Sequence, residues 1–484
     1  MNKFLKKNNL ITVFFIIFFG SFLRFYNINF EDLWTDEMVS YWLSNPRNTF
    51  LETLFLIRES NPTYTFEIFL KYFHYIFGYD VHVSRYSNLI LSILSLCLFY
   101  KLLKDNSSFK KSQDKYLCIY LGLALLSLNI FHIRYSMELR SYILVFLLVL
   151  ILLINIFKNK FIRSDLKKIN FFTIFVVSIL MLFSHAFSFL ILISLKIYLF
   201  TIFFLKKNFK KELIYLFIIL IISSIIFLLI YFSDFNHPPI WIKEIKNSFY
   251  SNYYFSNFFG SRILGGVYLI ILIYLIIISF KKRLLNLDIN TFFLILVITT
   301  YLLPIIFSYV FYPVLNPRYI FFVLIPVLYL MCNLIFYIDN KKIKTSLCTF
   351  LLIFTILNHF TENTFKQFYT KIFNQKPQIK EALIYINDSN INEFSILMDK
   401  NNKKNINSIY KNYLLEYSKK IHNNKLKFSN YLNNNKNKKD FWLIYITDVM
   451  EGKNFKLPEE LNKSIIAEIK KFNHVEIYLI KNVN

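Results

Sequence analysis

Runs of about 20 apolar residues recur along the first 360 positions, and nothing else in the chain constrains its fold as tightly. A helix rising 1.5 Å per residue crosses ~30 Å of hydrocarbon in about 20 residues. Eleven segments qualify, at 10–25, 83–103, 116–133, 141–157, 169–184, 187–205, 212–232, 263–280, 291–311, 319–337 and 345–360. The first follows Lys3, Lys6 and Lys7 as a signal-peptide core would, but no small-residue cleavage site precedes Arg24, so it reads as a retained anchor. The expected fold is an all-α polytopic membrane protein with about 11 transmembrane helices.

Composition agrees. Hydrophobic residues make up 56% of the chain, mean hydropathy is +0.43, and 7 Gly plus 10 Pro among 484 residues exclude a disordered or collagen-like polymer. The net charge of +26 suggests nucleic acid only if it is spread over one soluble face, and its placement argues otherwise. Assigning alternate loops to opposite sides puts 23 basic and 6 acidic residues on one side, and 11 of each on the other. The asymmetry makes the first side cytoplasmic, with Met1 there and Asn484 outside. Cys97, Cys118, Cys332 and Cys348 all lie inside apolar runs without CxxC pairing, so they indicate neither a disulfide framework nor a zinc site and read as small packing or lipid-facing residues.

Segment 62–78 tests the count, because a twelfth span would turn every later lysine cluster outward. Glu67, Lys71 and His74 recur at spacings of four and three, so the segment reads as an amphipathic helix at the outer interface. The expected domains are therefore a transmembrane module at 1–360, with an outer loop at 26–82 carrying interfacial helices, and a soluble extracytoplasmic α/β domain at 361–484. That tail holds 21 Lys and no Arg. Phe394 to Met398, Phe441 to Ile446 and Glu476 to Ile480 read as strands, while 399–440 reads as either folded or partly disordered.

Three outer loops carry the polar residues. The first holds Trp34-Thr35-Asp36-Glu37 ahead of an amphipathic run; the pair can be a helix cap with a first-turn acid, or can bind a metal or a hydroxyl. The second reads Arg134-Tyr135-Ser136-Met137-Glu138-Leu139-Arg140, where Arg134 and Glu138 stand four apart and can form a helical ion pair. The third contribution is Ser184-His185 with Asn316-Pro317-Arg318-Tyr319, ordinary places for interfacial anchors. All of them are expected on one side of one bilayer.

At Asp36-Glu37, at Asn61-Pro62-Thr63-Tyr64 and at Arg134 through Tyr142, the chain resembles the polyprenyl-phosphate-sugar-dependent transferases of the GT-C superfamily, most nearly the bacterial relatives of protein O-mannosyltransferase and the lipid A aminoarabinose transferase. The resemblance covers about 340 residues in motif order and topology. It implies Asp36 as the catalytic base with Glu37 beside it, Glu138 as the second outer-loop acid, and Arg318 near the lipid phosphate. Arg140, Arg134, His185, Asn61 and Tyr64 join the implied binding set. Relatives carry His-Pro-Pro where this chain has Asn61-Pro62-Thr63, so one implied metal ligand is replaced; a divalent cation stays open as the candidate cofactor.

The chemistry fits transfer. Displacing a polyprenyl phosphate from an anomeric carbon needs one base for the acceptor's proton and no strong acid, because the phosphate leaves as a stable anion. A glycosidase would want a second, proton-donating carboxyl. With 7 glycines, no GxGxxG and no sizeable cytoplasmic domain, a nucleotide-sugar donor has no cradle, so the sugar arrives on a lipid. The expected function is a multi-pass glycosyltransferase of a bacterial plasma membrane, passing sugar from a polyprenyl-phosphate donor to an extracytoplasmic glycan, lipid or protein acceptor, without nucleic acid. A transporter or flippase, and a polymerase or ligase for lipid-linked sugars, are the alternatives; the first would carry polar or broken midplane helices, whereas here Lys196 is the clear intramembrane charge.

Overall fold

The computed structural model describes residues 2–26, 28–60, 63–107, 109, 112–157, 170–207, 210–231, 256–282, 288–361, 364–366, 369–370, 376–397, 404–419, 421, 426–428, 440–446 and 464–482. Its helices begin with α1 (Asn2–Phe25), α2 (Thr35–Leu43), α3 (Phe50–Ser60), α4 (Tyr64–Phe77), α5 (Val81–Asn106), α6 (Ser112–Ser127), α7 (Ile130–Met137) and α8 (Tyr142–Phe157). They continue with α9 (Phe171–Leu182), α10 (Phe189–Lys206), α11 (Lys211–Tyr231), α12 (Arg262–Lys281), α13 (Ile289–Val310), α14 (Leu324–Ile335) and α15 (Lys341–Leu357). Beyond them come α16 (Ile379–Asp388), α17 (Lys404–Ser418) and five strands. The chain packs as two compact units: Met1–Tyr26, Thr63–Phe66 and Asn88–Thr361 form the first, and Asn27–Pro62, Glu67–Ser87 and Glu362–Asn484 the second.

Each of the eleven apolar windows holds a helix. Among the described residues, seven are long and apolar enough to cross a membrane, an eighth if the bent pair α6 and α7 is one span, while Leu10–Phe25, Tyr142–Phe157 and Phe171–Leu182 are shorter apolar helices. The fold is thus a polytopic helical membrane protein with a small α/β region, and the seven full-length spans, the bent pair and the three shorter apolar helices occupy the eleven windows expected. Phe14, Phe15, Phe18 and Phe19 stay exposed on α1, whereas nearly all of α8 is buried, as befits a helix enclosed by others.

Segment 116–133 is not one straight rod. Its two helices meet at 51° around Leu128 and Asn129. The Asn129 side chain accepts the His132 N–H at 2.8 Å and so starts α7. On the other side of the break, the fully buried Arg24 donates to two carbonyls at the end of α6, that of Ser127 at 2.9 Å and that of Leu126 at 3.1 Å, the latter also accepting the Asn129 N–H at 3.3 Å. Arg24 also meets Nδ1 of His132 at 2.8 Å; a guanidinium can only donate, so that nitrogen accepts and Nε2 carries the imidazole proton. Gly20 permits the approach, since a Cβ there would lie 2.8 Å from Ser127 Cβ.

In the second unit, β1 (Glu393–Ile396), β2 (Lys427–Phe428), β3 (Phe441–Ile446), β4 (Ser464–Phe472) and β5 (Val475–Asn482) form a mixed sheet in the order β2-β1-β3-β5-β4. The three expected strands are present as β1, β3 and β5; β2 and β4 are additions. The completely buried run Phe-Trp-Leu-Ile-Tyr-Ile of β3 lies at the sheet centre, parallel to β1 and antiparallel to β5. Of 399–440, α17 and β2 are described.

The helix expected at 62–78 forms as α4, but its polar face is not turned to water. Glu67 accepts the Ser40 hydroxyl at 2.9 Å, and Lys71 Nζ donates to the carbonyls of Asn45 at 2.8 Å and Asn48 at 2.6 Å. His74 is held between the Ser44 carbonyl and the Ser84 hydroxyl, and burial pushes its pKa down to about 4. Tyr72, Tyr75, Ile76 and Phe77 stay exposed instead. Carbonyls of the turn after α2 take the Lys71 ammonium, so this face packs on the turn instead of facing solvent.

Candidate active site

The first-loop acids belong to the second unit. Trp34, extended, caps α2, and Glu37 accepts its backbone N–H at 2.9 Å, the reciprocal bond of a capping box. Glu37 is fully buried. Its Oε2 pairs with Lys376 Nζ at 2.6 Å and its Oε1 with Arg85 at 3.5 Å. Burial raises its carboxyl, but the Lys376 and then the Arg85 charge outweigh that and hold it below its ordinary value. Asp36, one residue earlier, is half-buried in the same first turn. Of the adjacent acids, Glu37 is therefore spent on two cations and a cap.

Arg85 also gathers the loop in front of α2. It donates to the carbonyls of Ile28 at 3.0 Å, of Glu31, and of Asp32 at 2.8 Å. The Asp32 carboxylate accepts the Lys380 N–H at 2.7 Å, at the start of α16. Burial lifts Asp32 to about 7, against the opposing Lys380 hydrogen bond. Arg85, Asp32 and Lys376 were not singled out in the sequence. Lys376 stands 339 positions from Glu37, and no local pattern connects them.

The remaining candidates gather in the first unit. Asn88 Nδ2 donates to the carbonyls of Glu138 and, at 2.9 Å, Arg140, fixing the turn between α7 and α8. Arg134, Glu138 and Arg318 all act electrostatically on the Tyr135 hydroxyl. The Arg318 guanidinium lies 6.0 Å from the centre of the Tyr142 ring and 5.7 Å from that of Tyr319. His185 packs against the same two rings, at 5.4 Å and 4.9 Å. Its Nδ1 accepts the Phe187 N–H at 3.2 Å, which leaves Nε2 as an N–H donor. Burial, and then the charges of Arg140 and Arg318, push His185 down to about 3, so at neutral pH it is an uncharged donor and not a base.

Local sequence explains these placements. The Asn316 side chain accepts the Arg318 N–H at 3.2 Å and opens the 3-10 turn Pro317–Val323. Tyr64 opens α4 with its ring 6.0 Å from Phe183, and Thr65 N–H reaches the Phe183 carbonyl at 3.2 Å. Asn61 lies outside the described residues. Tyr142 and Tyr319 lie inside the sequence motifs without an assigned role there; aromatic faces next to the arginine and histidine of those motifs were the available signal. Three arginines, one neutral histidine and one carboxylate make a surface suited to an anion. Among the described residues no three His, Cys, Asp or Glu side chains are grouped to hold a metal ion.

No protein-family model and no curated protein matches the chain. A crystal structure of the Archaeoglobus fulgidus oligosaccharyltransferase in the apo form superposes on 87% of this chain with a TM-score of 0.47 and 11% identity. The chain spans 61% of the length of that structure.

Proposed function

We propose that this chain is a membrane glycosyltransferase that moves a sugar from a polyprenyl-phosphate donor to a hydroxyl or amine acceptor on the non-cytoplasmic face of a bacterial plasma membrane. The observation that carries the reading is the arrangement of Arg318, Arg140 and the neutral donor His185 around Tyr142 and Tyr319. Two guanidiniums offer planar forks to a phosphate, and an uncharged N–H adds a hydrogen bond without competing for protons. In the proposed reaction Asp36 takes the acceptor's proton, the acceptor atom bonds to the anomeric carbon, and the sugar–phosphate C–O bond breaks with its electrons leaving on the phosphate. The configuration inverts. Glu37, already paired, holds the turn that carries Asp36, and Glu138, Arg134 and Tyr64 are assigned to substrate binding.

The polymerase or ligase reading also draws support from the arginine cluster, since it needs lipid-phosphate recognition but no dependence on Asp36. The test is transfer by purified protein from a synthetic polyprenyl-phosphate sugar, read by mass spectrometry of donor and product. Donor consumption with an inverted product supports the proposal; an intact donor in the presence of membrane-extract acceptors overturns it.

A further inference from the structure

Lys196 is a charged side chain within an apolar span that the proposed chemistry does not use. It lies in the span Ala186–Leu205, ten residues from one end and nine from the other, so about 15 and 13 Å of helix separate it from the two ends. A four-carbon stem cannot cover that distance, and so the ammonium stays at depth. Its Nζ donates to Ser224 Oγ of α11 at 2.9 Å, and Ser224 in turn donates to the Leu220 carbonyl at 2.7 Å. The Phe189 ring lies 5.2 Å away. Among the described residues no carboxylate pairs with Lys196.

A hydroxyl and a ring do not neutralise a cation in hydrocarbon, where ionisable groups are costly and commonly face a partner. Lys196 is half-buried, and the surface around it is open: Ile197 and Phe200 on α10 and Ile221 and Ile225 on α11 are exposed, and only 33% of the span Lys211–Ile230 is buried. The charge says what fits there. A second copy of this chain cannot supply the counter-charge, because the eleven apolar segments contain a single acidic residue, Glu212, at the edge of its segment. We infer that the groove between α10 and α11 is a docking surface for a transmembrane helix of a different protein that carries an aspartate or glutamate at mid-depth, paired with Lys196.

The test uses the full-length protein in uncharged phosphatidylcholine vesicles, with leucine-rich transmembrane peptides bearing a central Glu, Gln or Lys as probes and energy transfer as the readout. The Glu peptide should bind wild type about tenfold or more tightly than the Gln peptide. Lys196→Met should erase that preference, and Lys196→Glu should transfer it to the Lys peptide, both variants retaining the thermal stability of the remaining fold. Equal binding of the Glu and Gln peptides to wild type, or a Glu preference surviving in Lys196→Met, overturns the inference. A few mole per cent of oleate displacing the Glu peptide would also overturn it, because the occupant would then be a lipid carboxylate.

Discussion

Lys376 Nζ stands 2.6 Å from Glu37 Oε2, and both side chains are withdrawn from solvent. A buried pair of this kind is costly to break from one side, since the surviving charge keeps its desolvation penalty. Lys376→Met should lower stability by about 3 kcal/mol, and adding Glu37→Gln should recover much of it. Thermal unfolding of the two single variants and the double variant checks this; additive losses would show that the two groups do not act on each other.

Stability should depend on pH through Asp32. Its folded pKa is raised from 3.8 to about 7, so the native state binds the proton more tightly than the unfolded chain. This contribution is largest below about 4, falls as pH rises toward about 7, and is level above, a swing of up to ~4 kcal/mol. Asp32→Asn keeps the acceptor for the Lys380 N–H and removes the titration. The difference in unfolding free energy between wild type and Asp32→Asn should therefore shift against wild type as pH rises from 4 to 7; a pH-independent difference would refute the assignment.

Arg24 binds the broken end of α6. Arg24→Met removes the donors to the Leu126 and Ser127 carbonyls and should destabilise the protein by about 2 kcal/mol or more. Faster amide exchange at the start of α7 than in α8 would accompany the loss, and unchanged exchange there would argue that the bend holds itself.

The membrane architecture was legible because 20-residue apolar windows have one ready solution, and β3 and β5 because their apolar runs are bounded by polar turns. The break at Asn129 was not, since it takes Arg24, over a hundred positions away, to stabilise the interrupted helix end. Strand β4 was hidden by Glu468, Lys470 and Lys471 standing among its isoleucines, as an exposed edge strand allows. For α4 the spacing of Glu67, Lys71 and His74 gave the helix, but the destination of that face depended on the carbonyls of Asn45 and Asn48 in the turn after α2. At the candidate site, residue types and order were readable, while the commitment of Glu37 and the neutrality of His185 arise from burial and from partners distant in sequence.

Arg318→Ala should weaken use of the lipid-phosphate donor by about tenfold to a hundredfold in kcat/KM while acceptor KM changes little, because a phosphate fork is lost and the base remains. Arg318→Lys should recover only part, lacking the planar fork that matches phosphate oxygens. Steady-state kinetics with each substrate varied separates the effects; equal losses for both would give Arg318 a packing role.

The central claim, that Asp36 is the base of a glycosyl transfer, is tested most directly by the turnover of Asp36→Asn with a polyprenyl-phosphate sugar and thermal unfolding measured alongside. Asparagine preserves size and much of the hydrogen bonding at the first turn of α2, so the variant should fold while its rate drops about a hundredfold to ten-thousandfold. Near-normal turnover in a well-folded Asp36→Asn protein would contradict the account.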